Sequence, residues 1–166
     1  MRIDYIHSTD KELKSEGLVG MTILPGRKDR GRNVSDDIES IQQEKIGAIV
    51  TLLSESEFTD YGVAELRDEY NNAGLELLHI RVPDQSVPTS EEMKRITAYL
   101  HQRIKKKEKT LVHCVGGLGR TGTVVACYLK EYEGFNSEEA IETVRESRSR
   151  RAIENERQEN FVKAYN

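Results

Sequence analysis

Residues 113–121 read His-Cys-Val-Gly-Gly-Leu-Gly-Arg-Thr, between the apolar pair Leu111-Val112 and the helix-like run Thr123–Leu129. That layout is a strand, a tight loop and a helix, and the loop carries a thiol, glycines, a guanidinium and a hydroxyl. The amides of Val115, Gly116, Gly117, Leu118, Gly119 and Arg120 can converge on one anion if the loop curls into a nest, and glycines at 116, 117 and 119 are expected to permit the positive φ this needs. A helix starting near Thr121 points its positive dipole end at the same spot, which favours a bound phosphate and lowers the pKa of a cysteine held there. Arg120 adds a planar fork that holds two phosphate oxygens and stays charged. Together these groups fit attack by the sulfur of Cys114 on a phosphate ester.

The same residues admit two other readings. A cysteine after an apolar strand is commonly a buried hydrophobe, but Cys114 stands inside a full set of phosphate-binding groups. The run Gly117-Leu118-Gly119-Arg120-Thr121-Gly122 also fits the G-x-G-x-x-G dinucleotide pattern. That fold needs another strand about 20 residues on, ending in an acid, where Ser137–Arg148 has helical periodicity instead. A leaving alkoxide or aryl oxide also needs a proton donor. Asp84, in Pro83-Asp84-Gln85-Ser86-Val87-Pro88 after a predicted strand, is the candidate, although an aspartate beside proline also suits a turn. Asp36, Asp37, Asp60 and Asp68 read as surface or cap residues.

His113-Cys114, Gly117, Arg120 and Thr121 match the HC-x-x-G-x-x-R-[S/T] signature of protein tyrosine and dual-specificity phosphatases. Over residues 19–165 the chain more closely resembles the kinase-associated phosphatase (cyclin-dependent kinase inhibitor 3-like) family. The shared features are Leu24-Pro25-Gly26, Gly31-Arg32-Asn33 with Asp36-Asp37, Val50–Leu53, Val82-Pro83-Asp84 with Pro88, and the Gly-Gly-Leu-Gly-Arg loop. The resemblance implies a cysteinyl-phosphate intermediate, with Asp84 as general acid and then base. It gives Thr121 a hydrogen bond to the departing thiolate, His113 an ordering role, and Gln158 a water-placing role that competes with a solvent-facing one. No metal or other cofactor is expected. The loop interior lacks the lysine or histidine that phosphoinositide phosphatases carry, so a phosphotyrosine protein is the expected substrate, with phosphoserine and phosphothreonine open. A phospholipid, an inositol phosphate or an RNA 5′-phosphate keeps the same chemistry, and a phospho-binding module with negligible turnover is the non-enzymatic alternative. No specific protein partner follows.

The positioning elements read as an α/β fold, a largely parallel sheet of about five strands with helices on both faces. Strands are expected at 19–24, 48–53, 75–81 and 110–113, with an edge strand at 3–6. Helices are expected at 36–45, 62–73, 91–107, 121–132, 137–148 and about 154–164, with Ser90 and Ser137 as caps. The 166 residues fit one catalytic domain, and no membrane-length apolar run or secretory start is visible. A net charge of −4 gives no general basis for nucleic-acid binding, and a cytoplasmic location with reduced cysteines is expected. The basic runs 103–109 and 145–151 suit solvated faces; the resemblance also sets the second beside the site's mouth.

Overall fold

The computed structural model describes residues 1–166. Five strands form one sheet: β1 (Asp4–Tyr5), β2 (Val19–Thr22), β3 (Ile46–Thr51), β4 (Glu76–His79) and β5 (Lys109–His113). Their order is β1-β2-β5-β3-β4, parallel except for β1 at one edge. Successive strand residues face opposite sides, and the inner strands are apolar on both. Val50 and Val112 pack into one core with Met93, Ile96, Val125 and Val144, whereas Ile49 and Leu111 pack into another with Ile38, Phe58 and Tyr70.

The helices are α1 (Val34–Gln43), α2 (Glu55–Asp60), α3 (Leu66–Asn72), α4 (Ser90–Lys105), α5 (Gly119–Tyr132), α6 (Ser137–Ser147) and α7 (Glu156–Ala164). Helix α5 packs against α4, α6 and α7 and is buried from Gly119 through Leu129, the one helix surrounded by others. No helix is long and apolar enough to cross a membrane.

The expected α/β architecture is present, with local corrections. Ser90 and Ser137 are first helical residues, and the caps are Thr89 and Asn136 one position earlier. Thr89 and Asn136 each accept from the amide three residues on, and the glutamates there, Glu92 and Glu139, return the bond to the cap amide. That reciprocal box fixes the start. Helix α1 starts at Val34 because the Asn33 side chain accepts from Ser35 and Asp36 amides. The helix expected from Gly62 starts at Leu66, since Gly62 sits at φ +71°. Helix α2 was not expected at all: six residues are too few to show a helical period.

Candidate active site

The loop between β5 and α5 forms a cradle whose carbonyls are all turned outward. His113 Nδ1 lies 3.1 Å from the Cys114 carbonyl. The Val115 carbonyl accepts from Leu24 N at 2.9 Å and Arg27 Nη1 at 3.2 Å. Arg148 donates to Gly117 O at 3.0 Å and Gly116 O at 3.2 Å, while Leu118 O accepts from Gly122 and Ile153 amides. In a planar trans peptide the N–H points opposite to the carbonyl. The amides of residues 115–119 therefore face away from these partners, toward the concave side, as the nest requires.

The three glycines do different work, which corrects the expectation that each supplies positive φ. Gly117 alone has it, at +63°, and a Cβ there would lie 2.0 Å from the Thr22 carbonyl oxygen. At Gly119 a Cβ would meet Glu154 Oε2 at 2.3 Å and the Gln158 amide at 2.8 Å, so that glycine makes room for α7's N-terminal region. Around Gly116 there is open space.

Arg120 is 1% exposed and held on several sides. Glu57 of α2 takes its end-on edge, Oε2 to Nη1 and Oε1 to Nη2, both at 2.8 Å. Nη1 also donates to Val82 O at 2.8 Å and Leu52 O at 3.3 Å. The side-on edge, Nε with the second Nη2 hydrogen, meets only Asp84 Oδ1, 3.2 Å from Nη2. Burial works against the guanidinium charge. The Glu57 bonds and the charges of Cys114, Glu57 and Asp84 outweigh it and hold the Arg120 pKa above its ordinary value. Burial likewise pushes the Glu57 carboxyl up, but bonds from Arg120 and Ser54 bring it below the ordinary range.

His113 is buried, and desolvation pushes its pKa down to about 4. Its tautomer follows from its partners. A carbonyl can only accept, so Nδ1–H donates to Cys114 O, and Nε2 accepts from Tyr70 Oη at 2.9 Å. Thr121 Oγ1 is buried and bonds to nothing in the protein. Cys114 is buried at the cradle's start, and Cys127 is a core residue whose thiol burial pushes up.

Asp84 is exposed, on a loop where Gln85 adopts φ +58°. That loop is tied to the α7 start: Asn155 Nδ2 donates to Gln85 O at 3.0 Å and Gln158 Nε2 to Ser86 O at 3.3 Å. Gln158 is therefore buried, and its solvent-facing reading is corrected. Asp37, read as a surface or cap residue, is also buried. It accepts from Gly26 N and pairs with Arg32 through two bonds.

Sequence reasoning missed Glu57 and Arg27. A signal for Glu57 existed in the capping box Ser54-x-x-Glu57, whereas nothing local marks Arg27 as a partner of residue 115.

A family model described as a polymorphic toxin system DSP-PTPase phosphatase matches residues 19–133. The chain belongs to this family. It is a cysteine-based phosphatase of the dual-specificity and protein tyrosine phosphatase superfamily. It is 32% identical to cyclin-dependent kinase inhibitor 3 of Rattus norvegicus over 147 residues, 87% of this chain and 69% of the relative. A crystal structure of kinase associated phosphatase, solved with its catalytic-site cysteine replaced by serine, superposes with a TM-score of 0.89 at 30% identity. It covers 97% of this chain and 91% of that one. The active form of Tk-PTP matches with a TM-score of 0.74 at 29% identity, over 89% of this chain and 90% of that one.

Proposed function

We propose that this phosphatase hydrolyses phosphotyrosine in proteins, with phosphoserine and phosphothreonine as further substrates, through a phosphate ester of Cys114. The observation that carries the reading is the division of the Arg120 guanidinium. Glu57 holds its end-on edge, and the side-on edge meets nothing but the exposed Asp84. Two phosphate oxygens match that free edge, and their arrival replaces the Asp84 contact on Nη2. Asp84 is then free to face the leaving oxygen.

In the first displacement Cys114 Sγ attacks phosphorus in line, the cradle amides and Arg120 hold the equatorial oxygens, and Asp84 protonates the departing oxygen. In the second, water attacks the cysteinyl phosphate while Asp84, now ionised, takes its proton. The unpartnered Thr121 hydroxyl donates to the departing thiolate, and Gln158, fixed between Glu154 N and Ser86 O, helps place the water. His113, neutral and pinned at both nitrogens, orders the Cys114 peptide. The lining residues Val115 and Leu118 carry no charge, which favours a phosphorylated side chain over a highly charged inositol head group.

The test is hydrolysis of a small aryl phosphate, with chelator and reductant present, by wild type and Cys114→Ser. Turnover by wild type and none by the variant is expected, with vanadate binding retained; turnover by the variant would overturn the nucleophile assignment. Asp84→Asn should slow poor leaving groups far more than good ones. Equal slowing of both would place the acid elsewhere.

A further inference from the structure

A cavity of about 300 Å³ lies between α6 and the segment that follows β1. Its walls carry the carboxylates of Asp10, Glu138, Glu139, Glu142 and Glu146, against the single cation Lys11. The five acids are not equivalent. Glu139 accepts from Lys11 Nζ at 2.7 Å and from the Asn136 amide at 2.9 Å, and Glu142 pairs with Arg150. Asp10, Glu138 and Glu146 are exposed and pair with no cation.

Two observations set this cavity apart from a solvated acidic face. Lys11 reaches across from the other wall and places its ammonium 4.6 Å from the centroid of the Phe135 ring while it meets Glu139. One corner is thus already filled by a cationic side chain, held by an aromatic face and a carboxylate together. The second observation is Thr143, which lines the cavity, is only 7% exposed, and has a hydroxyl that bonds to nothing in the protein. A buried hydroxyl without a partner is costly. Among carboxylates, which only accept, the partner it lacks is an N–H donor from a cation.

The carboxylates do not close on a point, and no group of them could hold a metal ion. Glu138, Glu142 and Glu146 instead lie in one row along α6, with about 6 Å of helix between neighbours. An extended polypeptide repeats its same-face side chains about every 6.6 Å, so basic residues at alternate positions meet that row in step. Nucleic acid and anionic bilayers are repelled by the same charge.

We propose that this cavity docks an extended basic segment of a protein partner, with lysine or arginine at alternate positions, one of which reaches Thr143. Docking here goes beyond the phosphatase reading and does not depend on it, because the probe carries no phosphate. The experiment is fluorescence anisotropy with a labelled peptide of about nine residues, arginine at alternate positions. Wild type should bind it at least about tenfold more tightly than the same peptide with glutamine replacing arginine, and added salt should weaken the binding. Glu138→Gln combined with Glu146→Gln should weaken it about tenfold, and Thr143→Val, which keeps the shape and removes the hydroxyl, several-fold. A charge-matched control, Asp60→Asn with Asp68→Asn on α2 and α3 across the sheet, should bind as wild type does.

Equal affinity for the arginine and glutamine peptides, or equal weakening in the two double variants, overturns the proposal. So does wild-type affinity in Thr143→Val on protein shown by circular dichroism to be folded, since only diffuse charge attraction would then remain. Full displacement of the peptide by an equimolar amount of spermine also overturns it, by assigning the cavity to a small polycation. Failure of the phosphatase reading is separable, because a chain without aryl phosphate turnover would still bind the basic peptide.

Discussion

Glu57→Gln isolates what fixes the Arg120 guanidinium. Three donors converge on Glu57 Oε2: Ser54 N at 2.7 Å, Ser54 Oγ at 2.9 Å and Arg120 Nη1 at 2.8 Å; Oε1 receives Arg120 Nη2 alone. A glutamine keeps its single oxygen where three donors point, so its NH₂ faces Arg120 Nη2, donor against donor. One charge-assisted bond is lost and the other becomes a bond to a neutral acceptor, about 2–4 kcal/mol of stability at roughly 1.5–3 kcal/mol per charged bond. Because Nη2 also belongs to the edge proposed for phosphate, part of that loss should fall on the transition state, and kcat/KM for an aryl phosphate should drop about 10- to 100-fold. The pH dependence has a definite sign. The folded Glu57 carboxyl sits below its ordinary value, so its contribution is present above the unfolded pKa and is lost as pH falls through the folded one. The variant lacks that part of the acid limb. Urea unfolding across pH and kcat/KM on the same preparations decide the matter. Activity within twofold of wild type in a destabilised variant would show that Arg120 is aimed without Glu57.

The two cradle glycines should separate cleanly. Gly117→Ala meets the Thr22 carbonyl at 2.0 Å in a left-handed conformation, whereas Gly116→Ala meets open space. The vanadate inhibition constant should rise by at least about tenfold in the first and stay near wild type in the second, and similar values in both would refute the close-approach argument. With a folded pKa of about 4 against 6.5, His113 is neutral in the native state. Native stability should therefore fall by about 3 kcal/mol as pH drops from 6.5 to 4 through this group. His113→Asn should remove that slope, and an unchanged slope would assign the titration to another group. Asn155 caps α7 through Oδ1 and tethers the Asp84 loop through Nδ2. Asn155→Asp keeps the cap and loses the tether, so it should hold Tm close to wild type yet slow aryl phosphates with poor leaving groups several-fold. Wild-type rates on those substrates would show the tether to be idle.

The cradle was legible in the sequence because its chemistry is local. Nest, thiol, guanidinium and helix start must follow one another within a single loop, so residue order alone carries them. The strands and long helices were legible for a related reason, since each repeats its period several times. Glu57 was not, because its partner lies 63 positions away and its helix is too short to show a period. Arg27 was hidden for the same cause: it meets the Val115 carbonyl across 88 positions, and nothing in Gly26-Arg27-Lys28 distinguishes that arginine from a solvated one. The caps were misplaced by one residue, at Ser90 and Ser137, because serine caps well in general. The reciprocal partner three residues on, Glu92 for Thr89 and Glu139 for Asn136, is the discriminating feature.

Parallel strands explain why such distant residues meet. Strands β3, β4 and β5 run the same way, with Thr51 opposite both His79 and His113. The segments that follow them, carrying Glu57, Asp84 and the cradle, therefore leave the sheet at one level, at the C-terminal ends of the strands. The ladder continues past the strands through Leu52 N to His113 O and Ile80 N to Thr51 O. Arg120 then bonds to Leu52 O, just beyond β3, and to Val82 O, beyond β4. A slip of one residue in either pairing would move a segment by about 3.3 Å and reverse its side chains, which no rotamer of Arg120 could follow. The guanidinium proposed to bind phosphate is thus also the tie across three strand ends. Substitution at Arg120 should lower stability together with turnover, so an activity loss there measures phosphate recognition only after the folded fraction has been established at the assay temperature.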